Sequence, residues 1–137
     1  MFAARSSSVP SARSLGLPAR HPDASLPPAV TVYEVGPRDG LQAEAAAVPT
    51  AEKVEFVRAL HRAGLPVVET TSFVDPRWIP QLADAAEVMS GLGDLAAACP
   101  VLVPNLRGLE RALDAGARHI AVFVSATQTF ARRNLNR

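Results

Sequence analysis

From Val30 onward the chain alternates between short apolar runs and segments whose apolar residues recur every three or four positions. Continuous Val-rich runs suit strands buried on both faces, and the longer spacing suits helices with one buried stripe. Four runs read as strands: Val30 to Val35 (VTVYEV), Leu65 to Glu69 (LPVVE), Pro100 to Val103 (PVLV) and His119 to Val124 (HIAVFV).

Between the first two runs, Thr50 is placed to cap a helix in which Val54, Val57 and Leu60 repeat until Gly64 stops it. Lys53 stands where a capping box would put Glu. Ile79, Leu82, Ala86 and Met89 form the stripe of a second helix ending near Gly91 to Gly93. Leu106, Leu109 and Leu113 form that of a third ending at Gly116, and a fourth is expected to begin near Thr129. All three stripes are expected to be core. Strand and helix in alternation predict an α/β fold with a parallel sheet, either doubly wound or part of a (β/α)8 TIM barrel. Both architectures put chemistry at the C-terminal ends of the strands.

Composition narrows the function classes. At 137 residues, 48% hydrophobic and 20% charged, the chain has ordinary globular content and enough length for one core. No stretch approaches the roughly 18 apolar residues of a membrane span. A net charge of +1 gives no reason to expect nucleic acid or a membrane surface, so a small molecule or another chain is the expected partner. One cysteine, Cys99, excludes an internal disulfide and suits a reducing compartment, the cytoplasm or an organelle matrix. Thirteen Arg against one Lys, with abundant Ala, read as the habit of a GC-rich, bacterial genome. Residues 1–29 are rich in Ser, Arg, Ala and Pro, with no acid before Asp23, which resembles a mitochondrial transit segment. Five prolines there would interrupt the amphipathic helix that import requires, so a disordered leader is the expectation, with the folded domain over residues 30–137.

The strand ends carry the candidate chemistry. After the first run come Glu34, Gly36, Pro37, Arg38, Asp39, Gly40 and Gln42, a dense polar loop. A carboxylate such as Asp39 is a hard-oxygen ligand for Mg²⁺ or Mn²⁺, and Arg38 can hold an oxyanion without losing its charge. An Arg–Asp pair in a loop is also common as a solvated pair of little worth. After the second run come Glu69, Thr70, Thr71 and Ser72. Glu69 closing a Val-Val run would be costly in a core unless paired, and Arg38 from the neighbouring strand end is the obvious partner. After the third and fourth runs, Asn105, Ser125 and Thr127 lie on the same face, where capping is at least as good an explanation.

VYEVGPRDGLQ, ETTSFVDPRWIPQ, PVLVPNLRGLE and the terminal FARRNLN, in this order and spacing, are similar to 3-hydroxy-3-methylglutaryl-CoA lyases, over residues 30–137. The resemblance implies a metal-dependent TIM-barrel lyase that cleaves 3-hydroxy-3-methylglutaryl-CoA to acetoacetate and acetyl-CoA, a step of leucine degradation and ketone-body metabolism. It implies a Mg²⁺ or Mn²⁺ cofactor held partly by Asp39, an enolate-stabilising Arg38 that also binds substrate, a supporting Glu69, and Gln42 in the substrate loop. Glu34, Ser72 and Asn105 are weaker candidates. A homo-oligomer is expected of the full-length form. Related condensing synthases and aldolases share the Arg-Asp pair, but the GPRDGLQ form points to the lyase branch. A truncated, non-catalytic chain is the other alternative.

Such enzymes carry further ligands, a His-x-His pair and an Asn, and a catalytic Cys on later strands, and none of these motifs occurs here. His21, His61 and His119 have no such spacing, and Cys99 precedes the third strand, on the wrong face. A barrel needs about 250 residues, so the chain is expected to supply the first four βα units, to expose a strand edge, and to be inactive alone.

Overall fold

The computed structural model describes residues 23–135. The chain divides into residues 1–30 and 31–137. Most of the predicted leader lies outside the described residues; Asp23–Val30 carries a turn in which Leu26 N–H donates to the Asp23 carbonyl at 3.2 Å.

In the second unit the strands are β1 (Tyr33–Glu34), β2 (Val67–Val68), β3 (Thr71–Ser72), β4 (Pro100–Leu102) and β5 (His119–Ala121). Every pairing is parallel: β1 with β2, β3 with β4, and β4 with β5. The run expected as one strand over Leu65 to Glu69 is thus two short strands reaching Ser72, because it changes partner midway. Glu69 N–H donates to the Glu34 carbonyl at 2.8 Å on one side, and Thr70 N–H to the Pro100 carbonyl at 2.9 Å on the other. Each successive strand position therefore lies beside the one before it, with no reversal of order. That is the winding of a barrel, in which neighbours in sequence are neighbours in space, and it excludes the doubly wound alternative with its switch point.

Helices α1 (Thr50–Arg62), α2 (Ala85–Leu92), α3 (Leu106–Asp114) and α4 (Gln128–Leu135) follow the strands, with 3₁₀ turns at Pro80–Leu82 and Gly93–Ala98. Helix α1 and helix α3 stop by the same device. Gly64 and Gly116 take φ of +94° and +85°, and the next residue donates back five positions, Leu65 to the Leu60 carbonyl and Ala117 to the Ala112 carbonyl. This satisfies carbonyls the helix leaves open, in a conformation that costs a glycine little.

The core lies between the helices and the sheet: Val54 and Val57 from α1, Ala85, Val88, Met89 and Leu92 from α2, and Val68, Phe73, Val101 and Val103 from the strand positions. Helices α1 and α2 approach closely, since a Cβ on Gly91 would fall 2.8 Å from a Val54 methyl. Two expected stripes shift. On α2, Ala86 is exposed while Ala85 and Val88 are buried, because the segment opens as a 3₁₀ turn, which offsets its helical phase. On α3, Leu106 and Leu113 are exposed, and it is Gly108 and Ala112 that face the core. The same side of the molecule exposes Ile120, Val122 and Val124, so β5 is shorter than the expected His119 to Val124. Nothing pairs with this edge among the described residues, and an apolar run there cannot be buried on both faces. At the other edge Val32 is also exposed, and the first strand narrows from the expected Val30 to Val35 to Tyr33–Glu34.

Lys53 explains its place at the would-be capping position. Its ammonium is buried, 2.5 Å from Asp84 Oδ1 and 2.6 Å from the Gln81 carbonyl, while Thr50, the first residue of α1 rather than its cap, donates its hydroxyl to Asp84 Oδ2 at 2.7 Å. One carboxylate thus bolts the start of α1 to the start of α2. Asp84→Ala strands the buried ammonium, and we expect a loss of about 3 kcal/mol in urea unfolding. A loss below about 0.5 kcal/mol, the scale of a solvated surface pair, would contradict this role.

Candidate active site

The loop after β1 is a π-helical turn over Gly36–Gly40. The Val35 carbonyl accepts from the backbone N–H of Arg38 at 3.1 Å and of Asp39 at 2.6 Å, and Pro37 is buried beneath. Glu34 is spent on this turn, its Oε1 accepting the Gly36 N–H at 2.5 Å. A Cβ at position 36 would lie 2.8 Å from that same oxygen, so a larger residue there would displace the Glu34 carboxylate from the turn.

The turn aims Arg38 at Glu69, which sits just past β2. Glu69 is 3% exposed. Its Oε1 accepts from Arg38 Nε, and its Oε2 accepts from the Tyr33 hydroxyl at 2.9 Å. Arg38 Nη1 also donates to Asp39 Oδ1 at 2.5 Å, and the Asp39 side chain is 61% exposed. Each oxygen of a buried carboxylate is thus satisfied, and the guanidinium is fixed by two of its five N–H groups. The remaining donors and the outward oxygen of Asp39 are what the site can offer to a ligand.

The structure brings Arg38, Asp39 and Glu69 together and places Glu34 in the supporting turn. Gln42 is half-buried just beyond the turn. Ser72 is buried and accepts the Val74 N–H at 3.3 Å, and Asn105 caps α3 by accepting the Gly108 N–H at 2.9 Å. Neither of those two side chains is hydrogen-bonded to Arg38, Asp39 or Glu69. Thr71, beside Ser72, has a buried hydroxyl without a partner, the one such side-chain group among the described residues. Tyr33 is the partner that sequence reasoning missed. In a strand a Tyr reads as ordinary β-propensity, and only the register Tyr33 to Val67 shows that its hydroxyl reaches the next strand's end. Cys99 lies buried at the opposite end of β4, 3.5 Å from His61 Nε2, and burial pushes its thiol up, so it is not a nucleophile for this face. His119 is exposed at the start of β5, and His21 lies outside the described residues.

A family model, described as HMGL-like, matches residues 29–137. The chain belongs to the HMGL-like family. Among curated relatives it is 53% identical over 112 residues to the mitochondrial hydroxymethylglutaryl-CoA lyase of Arabidopsis thaliana, covering 81% of this chain and 24% of that one. It is 54% identical over 112 residues to the cytoplasmic 3-hydroxy-3-methylglutaryl-CoA lyase of Rattus norvegicus, covering 81% and 33%. The hydroxymethylglutaryl-CoA lyase structure from Pseudomonas aeruginosa superposes with a TM-score of 0.75 at 44% identity, over 82% of this chain and 38% of that one. One from Acinetobacter baumannii, in complex with coenzyme A and 3-methylmalate, gives 0.73 at 39% identity, over 78% and 35%. This HMGL-like chain therefore spans between about a quarter and two-fifths of the relatives it matches. Its fold is that of the first four βα units of a (β/α)8 barrel, whose sequential parallel strands agree with the winding described above. The relatives include mitochondrial and cytoplasmic forms. No helix among the described residues is long and apolar enough to cross a membrane.

The Tyr33 hydroxyl reports on the cluster. Burial first, and then the bond to and charge of Glu69, push it up to about 12, with Arg38 opposing. It is the only tyrosine, so tyrosinate absorbance reads it alone. The folded chain should titrate near 12 and the urea-unfolded chain near 10. Because the folded value is the higher one, the stabilisation is complete below pH about 10 and is lost as pH rises through about 12. Glu69→Gln should lower the folded value, and an unchanged titration in that variant would contradict the contact.

Proposed function

We propose that this chain supplies the arginine-bearing strand ends of a 3-hydroxy-3-methylglutaryl-CoA lyase, which cleaves that thioester to acetoacetate and acetyl-CoA. The observation that carries the reading is Arg38 fixed by a buried Glu69, with free N–H groups left over at the C-terminal face of the strands. In the retro-Claisen step the tertiary hydroxyl loses its proton, the bond between carbons 2 and 3 breaks, and the electron pair moves onto the thioester as an enolate. Protonation of that enolate gives acetyl-CoA, and the former carbinol becomes the ketone of acetoacetate. The barrier is the enolate charge, and a guanidinium held in place before the reaction stabilises it without reorganising. Glu69 and Tyr33 act through Arg38 as positioning residues, since neither has a free oxygen or hydroxyl to spare. Gln42, on the same loop, is the proposed substrate contact.

Members of this family are expected to use a divalent cation, Mg²⁺ or Mn²⁺. Asp39 offers one exposed oxygen for it. Such cations take about six oxygen ligands. Among the described residues no group of three His, Cys, Asp or Glu side chains comes together. These residues alone therefore do not build the cation site, and the chain on its own should release no acetoacetate.

The decisive experiment grafts residues 31–137 onto the Pseudomonas aeruginosa lyase in place of its matching portion, and measures acetoacetate release. The chimera should be active, and Arg38→Gln in it should lower kcat by about a hundredfold or more, with a smaller change in KM. A folded chimera without activity would overturn the reading, as would full activity in the Arg38→Gln variant.

A further inference from the structure

A second polar feature lies on the same face, after β3 and β4 rather than after β1. A cleft of about 600 Å³ is lined by Arg77, Arg107, Arg111, Asp75, Phe73 and Asn105, among others. Three guanidinium groups converge there against one carboxylate. That carboxylate is already taken, because Asp75 accepts from Arg77 Nε at 3.0 Å and from Nη2 at 2.6 Å. The pair holds Asp75 well below the usual carboxylate range, so it stays ionised and keeps Arg77 in place.

Arg111 is preorganised from the other side. Its guanidinium lies 5.6 Å over the Phe73 ring, and Nη1 donates to the Val74 carbonyl at 3.3 Å. Arg107, in the first turn of α3, is exposed and makes no hydrogen bond among the described residues, while its charge adds to that of Arg77 on Asp75. The cleft therefore keeps Nη1 of Arg77, Nε and Nη2 of Arg111 and all of Arg107 as unused donors, with a surplus of two positive charges. Planar forks of this kind match the oxygens of a phosphate in pairs, which a carboxylate at the rim would repel were it not neutralised. The protein as a whole carries a net charge of only +1, so this concentration is local to the cleft.

We propose that this cleft is a binding site for a phosphate-bearing ligand, held by Arg77, Arg107 and Arg111. The shared chemistry is a diphosphate or phosphate monoester, carried either by the coenzyme A tail of a substrate or by a free nucleotide. The site does not depend on the lyase reading, since it can be tested without turnover.

The test is calorimetric titration of the purified chain with inorganic pyrophosphate at low and raised salt, beside Arg107→Ala and the Arg107→Ala, Arg111→Ala double variant. Arg107 is exposed and has no hydrogen bond to lose, so its variant should keep the wild-type circular dichroism. Pyrophosphate should bind, more weakly as salt rises, and Arg107→Ala should weaken it by about tenfold, the loss expected of one charge-assisted bond. Coenzyme A binding more tightly than ADP, with pantetheine inert, would support the tail as the source; ADP binding as tightly as coenzyme A would support a free nucleotide. No binding of pyrophosphate at millimolar concentration would overturn the proposal, and so would equal binding by wild type and the double variant.

Discussion

The site described here depends on one buried carboxylate. Glu69 closes an apolar strand, and a carboxylate in such surroundings survives as an ion only if both oxygens are paired. The pairing comes from two residues of the neighbouring strand and its loop, Tyr33 and Arg38. That requirement fixes much else. It demands that β1 lie beside β2 in parallel, that the loop after β1 turn back tightly enough to present Arg38, and that Gly36 leave room for Glu34 to tie that turn. A charge that would be a liability in the core thus becomes the anchor that orients a second charge at the surface.

The wider fold serves the same end. The change of partner at Glu69 and Thr70 lets one chain segment bind β1 on one side and β4 on the other, which sets the sequential winding of a barrel and gathers the strand ends on one face. The Lys53–Asp84 bolt and the α1–α2 contact hold the outer layer against the strands. The apolar edge formed by β5 and α3 is left open in these residues, and it accounts for most departures from a simple reading of hydrophobic stripes. Leu106 and Leu113 have the spacing of a core face, but burial needs a neighbour, and among the described residues that neighbour is absent.

Much was legible in the sequence, for identifiable reasons. Val-rich runs, the glycine stops at Gly64 and Gly116, and the polar loop GPRDG are local signals, and local signals survive folding. The Glu69–Arg38 pairing was legible because an acid at the end of Val67-Val68 has few affordable alternatives. What escaped was long-range. Tyr33 contributes through its hydroxyl, 36 positions from its partner, and nothing in its own neighbourhood marks it. Lys53 looked like a failed capping box, when its partner lay in another helix. The cleft of Arg77, Arg107 and Arg111 is divided between the loop after β3 and helix α3 after β4, and is assembled by the pairing of β3 with β4.

The central claim is that Arg38 is held by Glu69 before any ligand arrives. Arginine Nε–H resonances in a ¹⁵N–¹H spectrum of the ligand-free chain, with Arg38 assigned by its loss in Arg38→Lys, test this directly. The account predicts a downfield Arg38 Nε–H that exchanges with water more slowly than that of an exposed arginine such as Arg107. An Arg38 Nε–H exchanging as fast as that of Arg107 would contradict it.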